Sequence, residues 1–344
     1  MKTLRKMRMG KGQVEVVSVP RPAVQKDEVL IEVKYAGVCG TDLHILHDMF
    51  QSIRPPVTLG HEFSGVIAEK GPDVSNWQIG DRVTIESTAS FCGQCRSCRT
   101  GDTQRCLQRC AYGIVEDGAF AKYVAVRQDA LHKLPDHISF QEAALTEPLA
   151  VAIHAVLERT AISQDDTVLV TGPGPIGQLV LQVAKATGAK VIVTGTSKDE
   201  DRLNLATKLG ADQVLRADRQ DLKVLVEDIT DGSGVDVAFE SSGAAAAVQD
   251  CISATRKGAD IVQIGLLGRP LELDYDQLAI KELNLRGSFT HNHQSWVKAL
   301  EYMKNNKVNL KAVISDEFPI DQWQEAFQLF ESGSGLKYLL YPVD

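Results

Sequence analysis

No apolar run in this sequence approaches the ~18 residues that a membrane-spanning helix requires. Basic charge is also short: 37 Lys and Arg stand against 45 Asp and Glu, a formal net charge of −8 over 344 residues. The first absence excludes a helical membrane protein. The second argues against a general nucleic-acid binder, which needs a basic face to displace counterions from phosphates. Lys2, Arg5, Lys6 and Arg8 crowd the start, with Lys11 just beyond, but no apolar stretch follows them. A secretory signal is therefore not expected, and the segment reads as a basic edge strand of a cytoplasmic protein with no membrane partner. An even disulfide framework is missing as well. Of the seven cysteines, four fall between residues 92 and 106, too close together to act as long-range staples. Metal binding in a reducing compartment accounts for them better.

What is present is the composition of a globular protein, 44% hydrophobic and 24% charged. At ~150 residues per domain the length suggests two domains, and two domains invite a cleft. The first half reads as short strands, among them 14–17, 29–33, 64–69 and 81–85, separated by Pro and Gly turns. Strands at this spacing predict a barrel or sandwich. From about residue 165 the pattern changes. The apolar run Thr167-Val168-Leu169-Val170-Thr171 enters Gly172-Pro173-Gly174-Pro175-Ile176-Gly177, and a helical period follows in Leu179, Val180, Val183 and Ala184. Strand, Gly-x-Gly-x-x-Gly and helix in that order let the backbone approach a pyrophosphate at the helix N-terminus. Further alternation through 190–194, 214, 235–239 and 260–265 predicts a doubly wound parallel sheet.

The end of the second strand bears on which dinucleotide binds. An acid there, ~20 residues past the first glycine, would bind a ribose 2′-OH. This chain has Gly195-Thr196-Ser197-Lys198, with no carboxylate before Asp199. Hydroxyls and a lysine in that place predict NADP over NAD.

Four local patterns carry further chemistry. Cys39-Gly40-Thr41-Asp42-Leu43-His44 brings a thiol, a hydroxyl, a carboxylate and an imidazole into six residues. Gly60-His61-Glu62 adds nitrogen and oxygen donors, so that Cys39, His61 and Glu62 make the mixed set zinc accepts, with a position left open. Cys92, Cys95, Cys98 and Cys106, spaced Cys-x2-Cys-x2-Cys-x7-Cys, can close a tetrahedral structural zinc site. An iron–sulfur cluster is the alternative, and a zinc knuckle for RNA is disfavoured by the acidic balance and the lack of stacking aromatics. Ser139 and Glu142 form a capping-box pattern, and Glu147-Pro148 follows, where Pro148 is expected to break the helix and turn Glu147 inward. Glu147 reads equally well as a solvated helix-end residue. Cys110 and Cys251 are left as reduced thiols. Residues 287–293 carry two histidines, His291 and His293, that fit either a cleft lining or a solvent loop. Helices are expected at 295–305 and 322–332, and a last strand at 336–341.

Taken in order, the Cys39 segment, Gly60-His61-Glu62-Phe63-Ser64-Gly65, the four-cysteine lobe, Glu147-Pro148-Leu149 and the glycine turn resemble the zinc-dependent medium-chain alcohol and polyol dehydrogenases over essentially the whole chain. The resemblance is to the polyol branch, including sorbitol, butanediol and threonine-type enzymes. It implies a GroES-like catalytic domain at 1–150 and 290–344, and a Rossmann dinucleotide-binding domain at 151–289. It also implies two zinc ions per chain, one catalytic on Cys39, His61, Glu62 and Glu147, and one structural on Cys92, Cys95, Cys98 and Cys106. Glu147 would bind directly or through water. Thr41 would receive the substrate proton, His44 would pass it on through the nicotinamide ribose, and Asp42 would orient His61. The cofactor would lie on Gly172, Gly174, Pro175, Ile176, Gly177, Gly195, Thr196, Ser197 and Lys198. The implied reaction is reversible hydride transfer between NAD(P) and a secondary alcohol or polyol, in a homo-oligomer (dimer or tetramer). The family alternative is a threonine-type or sugar-phosphate 2-dehydrogenase. Where polyol enzymes often hold substrate with Arg-Tyr after the 287 region, this chain has Thr290-His291. An alternative of another class is a dinucleotide-binding sensor or scaffold with structural zinc only.

Overall fold

The structure is a computed structural model that describes residues 1–343. The chain divides into two compact units: Met1–Glu147, Asn292–Lys304 and the stretch from Leu310 onward form one, Pro148–His291 and Asn305–Asn309 the other.

The first unit is β-rich. Its main sheet runs Leu131–Lys133, Arg82–Ile85, Phe63–Lys70, Glu28–Gly37, Lys337–Tyr341 and Ile314–Pro319, and Tyr123–Arg127 also pairs with Glu28–Gly37. All pairings are antiparallel except the last, so the chain's final strand lies between a strand from its beginning and one from its end. Apolar side chains from several strands, including Ile31, Val33, Phe63, Ile67 and Val83, meet Phe120 and Phe327 in one buried core.

The N-terminal stretch departs from expectation. Lys2–Lys6 is not an edge strand: it pairs with Val14–Ser18 on one side and Val57–Thr58 on the other. Lys6 is fully buried, and its ammonium donates to the carbonyls of Gly10, Gly12 and Ile45. Three carbonyl acceptors replace the water a buried ammonium loses, which is how a basic residue reaches the centre of a sheet.

The second unit is a six-stranded parallel sheet in the order Gln213–Arg216, Lys190–Gly195, Thr167–Thr171, Val235–Glu240, Thr255–Gln263, Asn284–Gly287. Strand order reverses around Thr167–Thr171, which is buried along its whole length. The helix Pro175–Lys185 buries Leu179, Val180, Val183 and Ala184. This is the doubly wound Rossmann arrangement, whose ligands bind beyond the strand ends at the point of reversal. Among the described residues, no helix is long and apolar enough to cross a membrane.

Candidate active site and metal centres

The segment around Cys39 is organised by a short helix. Cys39 is extended and caps Gly40–Leu46, and its backbone N–H donates to Asp42 Oδ2 at 2.9 Å. Asp42 is fully buried, Thr41 Oγ1 lies 3.8 Å from Cys39 Sγ, and His44 stands one helical turn after Thr41 on the same face. His61 and Glu62 arrive from another direction, immediately before Phe63–Lys70. Gly60 makes that approach possible. Its φ is +93°, and a Cβ there would come within 2.8 Å of the Phe120 backbone nitrogen.

Cys39, His61 and Glu62 present ligand atoms that all lie within 4.8 Å of one another. His61, Glu62 and Glu147 are each buried. Burial alone would lower the pKa of His61, yet Cys39, Asp42 and Glu147 together lift it to about 10. The same field appears at Asp42, where burial pushes the carboxyl up and His61 pulls it down. His61 Nδ1 and Asp42 Oδ1 are both buried without a hydrogen-bond partner. Asp42 interacts electrostatically with His61, but the pair closes no hydrogen bond of the kind that would fix the ring.

Lys337 was not visible as a site residue. Its ammonium reaches both Glu62 oxygens, at 2.6 and 2.5 Å, and donates to the Val38 carbonyl at 3.0 Å. Burial pulls the lysine's pKa down, but Glu62 and Cys39 hold it above its ordinary value. Burial pushes Glu62 up against the pull of Lys337. Gly37 is required by the same carboxylate, because a Cβ there would collide with Glu62 Oε2. The only sequence signal for Lys337 is a lysine opening an otherwise apolar strand, Lys337–Tyr341. Arg109 was also missed. Its guanidinium donates to Thr88 Oγ1 at 2.9 Å and Ser87 Oγ at 3.3 Å, and burial lowers its pKa while Glu147 raises it.

Glu147 corrects the reading of Pro148. The capping box is present, with Ser139 accepting from the Glu142 N–H, but that helix ends at Ala144 and a new one, Thr146–Ile153, contains both Glu147 and Pro148. Proline in a first turn lacks an N–H that has no intrahelical partner anyway, so Pro148 is tolerated inside the helix.

The four cysteines Cys92, Cys95, Cys98 and Cys106 also converge within 4.8 Å. Cys92 Sγ and Cys98 Sγ are 3.9 Å apart, and Cys95 Sγ and Cys98 Sγ 3.4 Å. A tetrahedral ion with sulfur ligands at about 2.3 Å needs edges of about 3.8 Å. The Cys95 backbone N–H donates to Cys92 Sγ at 3.4 Å, and those of Cys92 and Gln108 to Cys106 Sγ at 3.5 and 3.4 Å. Such donors favour thiolate: backbone N–H groups of Gln94 and Cys95 draw Cys92 down to about 6. Burial and the neighbouring thiols push Cys98 up to about 12. Cys110 and Cys251 are free thiols, with Cys251 fully buried.

In the second unit a pocket opens where strand order reverses, lined by residues that include Thr171, Gly172, Pro173, Gly174, Gly195, Thr196, Asp199, Arg202, Ser242 and Asp250. Gly172 has φ +89° and its missing Cβ leaves room for Ser242, which would be 2.7 Å away. Gly177 packs against the Gly172 carbonyl, where a Cβ cannot fit. Gly174 differs: a Cβ there would meet nothing within 4 Å. Of the expected cofactor residues, Gly172, Gly174, Gly195 and Thr196 line the pocket, while Pro175, Ile176, Gly177, Ser197 and Lys198 are not among its lining residues. Asp199 accepts from the Thr196 N–H at 2.9 Å and hydroxyl at 2.8 Å and faces Arg202 at 3.5 Å. Ser241 and Ser242, which also line it, follow the fourth strand and were predictable from the rule that ligands lie beyond strand ends.

Two family models match this chain: an alcohol dehydrogenase GroES-like domain over residues 25–136 and a zinc-binding dehydrogenase over residues 175–305. The chain belongs to the zinc-dependent medium-chain dehydrogenases, in their polyol branch, and is an oxidoreductase. It is 43% identical over 345 residues to a sorbitol dehydrogenase of Halalkalibacterium halodurans, covering 100% of each chain. To a D-arabitol-phosphate dehydrogenase of Enterococcus avium it is 38% identical, covering 99% of this chain and 97% of that one. A zinc-binding dehydrogenase family structure from Sinorhizobium meliloti 1021, solved bound to NADP, superposes with a TM-score of 0.87 at 30% identity over 99% of both chains.

Proposed function

We propose that this protein catalyses reversible, NAD(P)-dependent oxidation of a secondary alcohol or polyol to a ketone at a zinc held by Cys39, His61 and Glu62, with Glu147 completing the site directly or through water. The observation that carries this reading is the buried convergence of thiol, imidazole and carboxylate, whose surplus negative charge lifts His61 to about 10. A divalent cation satisfies such a cluster, and a structural role alone does not call for it. The zinc supplies Lewis acidity that lowers the alcohol's pKa, and the nicotinamide supplies the hydride acceptor. The chain's own groups do the rest. Thr41, beside Cys39, takes the substrate's proton, and His44, a turn further along the helix, passes it on. Asp42 contributes to the electrostatic field at His61, and Lys337 pairs with the Glu62 carboxylate through both of its oxygens. A second zinc is proposed on Cys92, Cys95, Cys98 and Cys106, supported by sulfur separations close to a tetrahedral edge.

NADP is the proposed cofactor over NAD, supported by the absence of a carboxylate at the end of Lys190–Gly195 and by Thr196 and Arg202 in the pocket. Asp199 in the same lining favours NAD. A sugar-phosphate substrate is the second reading, supported by the half-buried Arg109, whose guanidinium feels the charge of Glu147. A cytoplasmic location fits seven free cysteines. A homo-oligomer fits exposed Leu285 in the edge strand Asn284–Gly287 and Phe289 just past it.

After passage over a chelating resin, elemental analysis should find two zinc ions per chain, and Cys39→Ser should lose one of them together with turnover while remaining folded. One zinc in the wild type, or full activity in Cys39→Ser, rejects the catalytic centre. Assays of sorbitol, other polyols and polyol phosphates with both cofactors decide the rest: kcat/KM about tenfold higher with NAD would reverse the cofactor assignment.

A further inference from the structure

A third group of ligand-type side chains lies away from both zinc sites. Glu86 follows the strand Arg82–Ile85, His132 lies in the neighbouring strand Leu131–Lys133, and His293 opens the helix His293–Lys304. Their ligand atoms lie within 4.8 Å of one another. Glu86 Oε1 is 2.8 Å from His132 Nε2 and 2.7 Å from His293 Nδ1. We propose that Glu86, His132 and His293 form a third metal site, which takes a divalent transition ion such as Zn2+ or Ni2+.

Two imidazole nitrogens and a carboxylate oxygen are a donor set for zinc and nickel, and three protein ligands leave coordination positions for water. Metal–ligand bonds of about 2.0–2.2 Å place the ligand atoms about 3.3–3.5 Å apart, so Glu86 Oε1 needs to part from each imidazole nitrogen by well under 1 Å, and the two nitrogens already lie within 4.8 Å of each other. Two of them are already held in place. The side chains of His132 and Glu86 are only 11% and 12% exposed, and the His132 ring stacks on the buried Trp296 ring at 5.8 Å and 25°. The third is the way in, because the His293 side chain is 56% exposed. Its hydrogen bond to Glu86 raises its pKa against the opposing effect of burial, so the site already draws a positive charge to the atom where a metal would replace the proton. The helix N-terminus beneath His293 opposes that charge, which makes this site weaker and more exchangeable than the four-thiolate one. An ion here ties the helix to the end of the sheet, and the site binds metal whether or not the catalytic zinc is present.

The test uses the zinc-loaded protein after passage over a chelating resin, with zinc counted before and after Ni2+ is titrated in. One Ni2+ per chain is expected, with unchanged zinc content and quenching of Trp296 fluorescence by an ion bound to the ring stacked on it. His293→Ala and His132→Gln are each expected to weaken uptake about tenfold or more, and Trp296→Phe to remove the quenching while uptake persists. No uptake above resident zinc, uptake matched by equal zinc release, or unchanged uptake in either histidine variant overturns the site.

Discussion

The three glycines of the nucleotide turn have different jobs, and substitution should separate them. Gly177 packs on the Gly172 carbonyl with no room for a Cβ, while Gly174 faces open space within the pocket lining. Gly177→Ala is therefore expected to lower the melting temperature, because backbone must move. Gly174→Val should leave the melting temperature unchanged and raise the KM for the dinucleotide about tenfold, since its side chain fills the phosphate space. Equal effects of the two variants on stability would contradict this division. The sequence shows the pattern of all three, but only packing shows which glycine serves the fold and which the ligand.

Among the elements, the capping box at Ser139 and the helix after it illustrate what local sequence determines. Ser139 accepts from the Glu142 N–H at 3.2 Å, and Glu142 reaches back to the Ser139 N–H at 3.2 Å. Both partners lie within four residues, so the pattern is legible without a fold. Ser139→Ala is expected to cost about 1 kcal/mol in chemical denaturation, with zinc content unchanged. What local sequence did not determine is the restart at Thr146, which places Glu147 and Pro148 in a first turn. The basic start failed for a related reason. Charge at Lys2, Arg5 and Lys6 suggested an edge, but two carbonyls from the turn that follows and one from a helix end 39 positions away receive Lys6.

At the scale of the whole molecule, the first unit is assembled from segments far apart in the chain. The last strand, Lys337–Tyr341, pairs with Glu28–Gly37 and delivers Lys337 to Glu62 across 275 positions. Removing one partner of a buried ion pair leaves the other charge uncompensated. Lys337→Met is expected to destabilise the protein by about 3–5 kcal/mol, measured by denaturant unfolding, and to change the zinc content of the Cys39 centre without touching that of the four-cysteine lobe. A variant as stable as the wild type, with both zinc ions retained, would show that Glu62 does not depend on this pairing.

The sequence by itself determined the features whose partners are close along the chain: the four-cysteine lobe, the strand, glycine turn and helix of the nucleotide site, the capping box, and the order of motifs that marks the family. These depend on spacing, on backbone freedom at glycine and on hydrogen bonds a few residues long. Only the tertiary structure decided the rest: Lys337 on Glu62, Arg109 near Glu147, Asp199 and Arg202 in the cofactor pocket, Lys6 in the middle of a sheet, and His293 beside Glu86 and His132. Most arise from residues brought together across long separations. Burial then makes such pairs matter, because charges withdrawn from water must find one another, and no local pattern records which ones will.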